Sequence, residues 1–114
     1  EIALLLKPLL LPARYMVVRA GESSKAMFFI ASGEVEVEIA PDPIRLGVGH
    51  FFGEIGLVHE LPRSATVVTL TETRLLVLEQ DSFNTITAMY PEIRAAVEHI
   101  AADRLHWIGR GAQR

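Results

Sequence analysis

Two charged side chains near the middle of the chain, Glu54 and Arg63, have types and surroundings that suit the binding of a small anionic ligand. Gly53 follows an apolar, strand-like run and leaves room for close approach of a ligand to the backbone. A helical turn that starts there would present free backbone N–H groups, which bind anions. Arg63 follows Pro62 and precedes Ser64, and a guanidinium suits an anion such as a phosphodiester.

Glu54 is the unusual member of this group, because a carboxylate does not bind phosphate. It can accept a hydrogen bond from a hydroxyl such as a ribose 2′-OH, and it can also pair with Arg63. Phosphate donors beside a hydroxyl acceptor suggest a nucleotide whose phosphate lies close to its own sugar. The alternative is a strand, a turn and a second strand that carry a surface Glu–Arg pair.

The segment from Phe51 to Val67, FFGEIGLVHELPRSATV, closely resembles the phosphate-binding cassette of cyclic nucleotide-binding domains, and we call it the cassette. The family pattern has F-G-E, an apolar residue, a small residue and Leu, then a spacer, and then an arginine motif that PRSAT fits. The chain fills every one of these positions. The resemblance implies that the Gly53–Gly56 backbone and Arg63 bind the cyclic phosphate, and that Glu54 binds the 2′-OH.

Composition limits the other possibilities. The 114 residues suffice for one domain with a single core, and half of them are hydrophobic. The net charge is −3 without a Lys/Arg cluster, which argues against nucleic acid or an anionic membrane as a partner. There is no cysteine, which fits a reducing compartment. No apolar run approaches the roughly 20 residues of a membrane span, and the start at Glu1 suggests a piece of a longer protein.

Short, regularly interrupted apolar segments predict a small β-roll or sandwich. In residues 34–39, EVEVEI, strict alternation places Val35, Val37 and Ile39 inward and the glutamates outward. Thr66–Leu70 and Arg74–Glu79 are predicted to form a hairpin. The remaining strands are predicted at residues 15–19, 27–31 and 44–46.

The resemblance covers nearly the whole chain and implies a mainly β, jelly-roll-like antiparallel β-roll flanked by helices. It divides residues 1–114 into a short N-terminal helix remnant at 1–11, a β-roll at 12–80 and C-terminal helices at 81–110. From the residues alone, segment 1–11 is either the tail of a helix that ends near Pro8 or a segment that packs on a missing partner.

Helical periodicity begins after residue 80. Asp81 or Ser82 can cap the first helix, and Pro91 suits the first turn of the second. Arg104 falls within an apolar stripe of the second helix, where it either extends into solvent or stacks on a ligand's base. The family has a C-terminal lid helix, and bacterial channel members carry Arg at the matching place, which favours the second role. The other stripe residues are Ile93, Val97, Ile100 and Trp107.

Taken together, the resemblance implies a regulatory domain that binds cAMP and also cGMP. The ligand-binding residues implied are Gly53, Glu54, Ile55, Gly56, Arg63, Ser64, Ala65 and Arg104, without a catalytic residue, a metal or a further cofactor. The compact, proline-bearing Ala40–Gly49 connection is similar to that of bacterial cyclic nucleotide-gated potassium channels. The implied partner is therefore a fused effector, a tetrameric channel pore, with this domain at the cytoplasmic face and neither inserted in the membrane nor bound to nucleic acid.

Two other functions remain open at this stage. The first is the cAMP sensor of a transcription regulator, which would need a helix-turn-helix after the second helix. The second is a metal-dependent β-roll enzyme. The four histidines contain no H-x-H pair, and no general base is evident beside Ser64, so the sequence offers this enzyme little support.

Overall fold

Two four-stranded sheets pack face to face, and helices cover the outer face of one of them. The structure is a computed structural model that describes residues 5–112, with side chains described as far as His106. The strands are β1 (Lys7–Leu11), β2 (Met16–Val18), β3 (Ala26–Ser32), β4 (Val35–Glu38), β5 (Ile44–Leu46), β6 (Phe51–Phe52), β7 (Thr66–Thr69) and β8 (Thr73–Glu79). The helices are α1 (Glu54–His59), α2 (Gln80–Met89) and α3 (Pro91–Ala112).

Every strand pairing in the described part of the chain is antiparallel. The first sheet has the order β1-β8-β3-β6, and the second has the order β2-β7-β4-β5. This arrangement confirms the predicted antiparallel β-roll with C-terminal helices.

Strand β3 supplies side chains to both hydrophobic cores, because successive residues of a strand point to opposite faces of its sheet. Phe28 and Ile30 lie in the core between the two sheets, together with Val35 and Leu75. Met27 lies in the second core, between the first sheet and the helices. Strand β3 of the first sheet is therefore packed on both faces.

The predicted hairpin between residues 66–70 and 74–79 is wrong, because these strands belong to different sheets. Strand β7 pairs with β2 and β4, whereas β8 pairs with β1 and β3. The connection between them is held against Glu34, whose carbonyl accepts from the Leu70 N–H at 2.8 Å. The Glu34 N–H donates to the Thr71 hydroxyl at 3.1 Å. These contacts turn the chain from one sheet to the other, and strand propensity alone does not reveal that choice.

The N-terminal helix predicted for residues 1–11 is wrong over residues 7–11, while residues 1–4 lie outside the described range. Residues 7–11 form β1, an edge strand in which Leu9 is the register partner of Leu75 on β8. An edge strand tolerates Pro8, since a missing N–H need not break the ladder there. Leu11 is buried in the core between the sheets, so burial favours the strand.

The C-terminal helices begin differently from each other. The predicted cap at Asp81 or Ser82 is wrong, because β8 continues directly into α2 and the N-cap position is Glu79, without a side-chain capping bond. The Gln80 N–H donates to the Lys25 carbonyl at 2.9 Å. Helix α3 begins at Pro91, as predicted.

Helix α3 packs against α1 and α2. Val97 of the predicted stripe is buried, as is Ala101, which is not part of that stripe, whereas Ile93 is exposed. The side chain of Trp107 lies outside the described residues. Within residues 5–112, none of the helices combines the length and the hydrophobicity that crossing a membrane requires.

Candidate functional site

Gly53 links β6 to α1 and has a left-handed backbone conformation, with φ 87° and ψ 1°. A Cβ atom at this position would lie 2.6 Å from Nη1 of Arg63 and 3.0 Å from the carbonyl oxygen of Ala26. The glycine therefore serves both the turn and the close approach of Arg63 to the backbone. Any side chain here would displace that guanidinium.

Gly56 lies in the helical turn that the sequence predicted, which the structure shows as α1. A Cβ atom at Gly56 would lie only 2.0 Å from both Cβ and Oγ of Ser24. Ser24 belongs to the turn between β2 and β3, so this contact sets the position of α1 against the first sheet. The Ser24 hydroxyl is buried and has no hydrogen-bond partner among the described residues.

Arg63 follows α1 in the loop that leads to β7. Its Nη1 donates to the Gly53 carbonyl at 3.3 Å, and its guanidinium carbon lies 5.5 Å from the centre of the Phe28 ring. Its backbone N–H donates to the Glu22 carbonyl at 2.8 Å. Burial lowers the pKa of Arg63, and the negative charges of Glu54 and Glu22 oppose this shift. An arginine still keeps its charge at neutral pH.

Glu54, the first residue of α1, is only 1% exposed. Its Oε1 accepts a hydrogen bond from Nη1 of Arg104 at 2.7 Å, and its Oε2 has no partner in the described part of the chain. Burial raises the pKa of the Glu54 carboxyl, while the charge of Arg104, hydrogen bonds and the charge of Arg63 oppose that rise. The pairing that the sequence suggested with Arg63 is thus made by Arg104 instead.

Arg104 lies on α3 and points inward rather than into solvent. Its side chain is 17% exposed. Its Nη1 donates to Glu54 and also to the Phe51 carbonyl, at 2.7 Å in each case, and its guanidinium carbon lies 5.0 Å from the centre of the Phe51 ring. The hypothesis that Arg104 extends into solvent therefore does not describe this structure. Stacking on a base stays a prediction.

One cavity brings all eight predicted ligand-binding residues together, with a volume of about 80 Å³. The cassette supplies seven of them and α3 supplies Arg104. Sequence reasoning missed most of the opposite wall, which consists of apolar side chains from the second sheet. The sequence signal that could have revealed this wall was the alternation that places Val37 and Ile39 on the inner face. The apolar wall contains Val18, Val37, Ile39, Ile44, Leu46 and Val67.

A second recess, of about 260 Å³, lies behind α1 and is lined by residues that include Ser23, Glu60 and Gln80. Although it is larger, it contains neither arginine and only Gly56 of the predicted residues. The first cavity is therefore the candidate site. Among the described residues, no cluster of three or more His, Cys, Asp or Glu side chains could hold a metal ion.

The fold and this site define a nucleotide-binding module, and comparison with known proteins identifies its family. The cyclic nucleotide-binding domain profile matches residues 9–90. The chain therefore belongs to the cyclic nucleotide-binding domain family, which confirms the resemblance of its cassette.

Relatives and solved structures agree with this assignment. The chain is 40% identical over 104 residues to a cyclic nucleotide-gated potassium channel of Rhizobium etli, which covers 91% of this chain and 29% of that protein. The catabolite activator protein of Thermus thermophilus has a TM-score of 0.81 at 25% identity, covering 92% of this chain and 52% of the other.

The regulatory domain of Toxoplasma gondii PKA with cAMP has the same fold, with a TM-score of 0.77 at 22% identity, covering 90% of this chain and 41% of the other. The chain spans less than a third of the length of the curated relatives it matches.

Proposed function

We propose that this domain binds cAMP and also cGMP in the cavity between the cassette and the second sheet. The observation that carries the proposal is that Arg63 and Glu54 line the same largely apolar cavity. A cation supplies charge for the cyclic phosphate, and the buried Glu54 carboxylate, whose Oε2 has no partner among the described residues, supplies an acceptor for the 2′-OH. Few small ligands need both groups so close together, and a cyclic nucleotide is one of them.

The remaining residues suit the other parts of the same ligand. The Gly53–Gly56 backbone contributes N–H groups to the phosphate. The apolar wall of the second sheet covers the base, and Arg104 lies on the opposite side, on α3, in the role of a lid. The Ser64 hydroxyl offers guanine a hydrogen bond, which supports binding of both nucleotides.

The size of the cavity supports a regulatory movement. At about 80 Å³ it is smaller than the roughly 300–1,000 Å³ of ordinary small-molecule pockets. A nucleotide would therefore require Arg104 and α3 to adjust. A ligand that binds one position of α3 better than another shifts the population between the two positions. The domain thus binds and signals without converting its ligand.

The proposed effector is a potassium channel pore that is fused to this domain. The pore is tetrameric and lies in the membrane, and this domain lies at its cytoplasmic face. The identity to the Rhizobium etli channel supports it. The second candidate is the sensor domain of a transcription regulator, which the fold of the Thermus thermophilus catabolite activator protein favours at lower identity. Potassium flux through the full-length parent protein in liposomes, with and without cAMP, separates the two.

The binding proposal is tested by calorimetric titration of the chain with cAMP and cGMP. Replacing Arg63 with Ala should weaken binding of both by about ten- to 150-fold, because a hydrogen bond to a charged group contributes about 1.5–3 kcal/mol. Arg63→Lys should restore only part of the affinity, since the planar fork is lost. Arg74→Ala, at an exposed position on β8, is the matched control. Binding of cAMP by Arg63→Ala with the affinity of the unsubstituted chain (the parent in the comparisons of variants) would contradict the proposal.

A further inference from the structure

We infer that Phe28 is a positioning residue for the phosphate site and that its ring holds the Arg63 guanidinium ready for the anion. The inference rests on the proposed function, because it assumes that Arg63 contacts the ligand's phosphate. It assigns a ligand-binding role to a core residue of β3 that does not line the cavity.

The position of the Phe28 ring is set by strand pairing. Phe28 on β3 is the register partner of Phe52 on β6. Their rings stack with centroids 5.0 Å apart and an angle of 18° between their planes. Phe28 is 8% exposed and lies in the core between the sheets. The Phe52 ring therefore covers one face of the Phe28 ring and fixes its orientation. The Arg63 guanidinium contacts a part of the Phe28 ring that Phe52 does not cover.

Arg63 has few other contacts to hold its side chain. Its one side-chain hydrogen bond within the described residues goes to the Gly53 carbonyl and is long, at 3.3 Å. The guanidinium carbon lies 5.5 Å from the Phe28 ring centre, within the range of a cation–π interaction. The ring thus restricts a long side chain that a single weak bond would leave free to change rotamer.

An aromatic partner suits this task better than an acidic one. A guanidinium has five N–H donors, and an ion pair would engage some of them and cancel the charge that the phosphate needs. The face of a ring attracts the cation and engages none of its donors along the guanidinium edge. Arg104, which also lies over a ring, shows the effect of adding an acidic partner, because its Nη1 is already bonded to Glu54 and to the Phe51 carbonyl.

The ring also offsets part of the cost of burial. Burial lowers the pKa of Arg63, which means that the surroundings disfavour its charged form. A cation–π contact acts in the opposite direction and is stronger when the cation is desolvated. Phe28 therefore contributes both to the orientation of the guanidinium and to keeping a charged group in a largely apolar cavity.

The test compares cAMP dissociation constants for Phe28→Leu, Phe28→Met and Phe28→Tyr by calorimetry. Leu and Met remove the aromatic face, and each should weaken binding by about two- to thirty-fold. Tyr keeps the face and should stay within about threefold of the parent. Phe83→Leu removes a buried ring from the other core and should leave the dissociation constant unchanged. Thermal unfolding identifies which variants fold. If Phe28→Leu does not fold, the comparison rests on Phe28→Met.

A thermodynamic cycle distinguishes positioning from general loss of packing. In the Arg63→Ala background, Phe28→Met should cause no further loss of cAMP affinity, because the cation it positions is absent. An equal loss in both backgrounds, or parent-like affinity of Phe28→Met, would overturn the inference while the proposed function stands. Parent-like affinity of Arg63→Ala alone would instead overturn the proposed function and, with it, the inference.

Discussion

Removing Arg104 should destabilise the unliganded domain in a way that depends on pH. Arg104 is the ion-pair partner of Glu54, at 2.7 Å, and the Glu54 side chain is 1% exposed. In Arg104→Ala the carboxylate would remain buried without its partner. Breaking a buried pair in this way typically costs about 3–5 kcal/mol, unless the remaining group becomes neutral.

Protonation of Glu54 sets the upper limit of this cost. Keeping an ordinary glutamate protonated at pH 7 costs about 3.7 kcal/mol, from a usual pKa near 4.3 and about 1.36 kcal/mol per unit. At pH 5 the same calculation gives about 1 kcal/mol. We therefore expect Arg104→Ala to lower the free energy of unfolding by up to these amounts, with a smaller constant loss from its contact with Phe51.

The direction of this pH dependence follows from the direction of the Glu54 pKa shift. Burial raises the folded-state pKa of Glu54, and the Arg104 charge is the largest influence opposing that rise. A raised pKa means stability that is fully present below the ordinary carboxyl pKa and is lost as the pH rises through the folded pKa. Arg104→Ala raises the folded pKa further, so its deficit relative to the parent grows from acidic to neutral pH.

Urea unfolding at pH 5 and pH 7 measures the loss of unfolding free energy at each pH. The parent, Arg104→Ala, Glu54→Gln and the double variant form a closed cycle, in which Arg104→Ala should show little pH dependence when Gln occupies position 54. A deficit of the same size at both pH values would show that the buried charge of Glu54 does not cause it.

Two further variants test other parts of the site. Ser64→Ala should weaken cGMP binding more than cAMP binding in calorimetric titrations, because the hydroxyl can meet the guanine amino group; equal losses would remove Ser64 from base recognition. Gly56→Ala should destabilise the domain by about 1–3 kcal/mol through overpacking, since its Cβ would lie 2.0 Å from the side chain of Ser24. Adding Ser24→Gly should recover part of that loss in urea unfolding, because the Leu61 carbonyl oxygen, 2.9 Å from the same Cβ, remains; no recovery would show that Ser24 is not a source of the strain.

The site was more predictable from sequence than the path of the chain around it. The cassette is a continuous segment whose glycines, carboxylate and arginine have fixed spacing, so its chemistry is visible without a fold. Arg104 could be singled out as well, because a charged residue in an apolar helical stripe is conspicuous. Its pairing with Glu54 could not, since that contact joins residues 50 positions apart.

Several predicted strands lie where the sequence placed them, and the hairpin error concerns only how two of them pair. Strand Ile44–Leu46 has the predicted bounds, and β7 and β8 lie close to the predicted segments. Their assignment to one hairpin failed because a short polar connection can equally turn a corner between two sheets, and hydrogen bonds to Glu34 decide the outcome. Segment 7–11 is apolar enough for a helix or a strand, and pairing with β8 settles the question.

Two arginine side chains, Arg63 of the cassette and Arg104 of α3, donate hydrogen bonds to the two ends of the backbone segment from Phe51 to Gly53. Arg104 donates to the carbonyl of the first residue, and Arg63 donates to the carbonyl of the third. The cation proposed to bind phosphate thus contacts one end of this three-residue segment, and the cation of α3 contacts the other. A ligand that draws Arg63 away from the Gly53 carbonyl would weaken one of these two hydrogen bonds. Only two peptide bonds separate the two carbonyls, so a change at Arg63 has a short covalent route to the carbonyl that Arg104 binds.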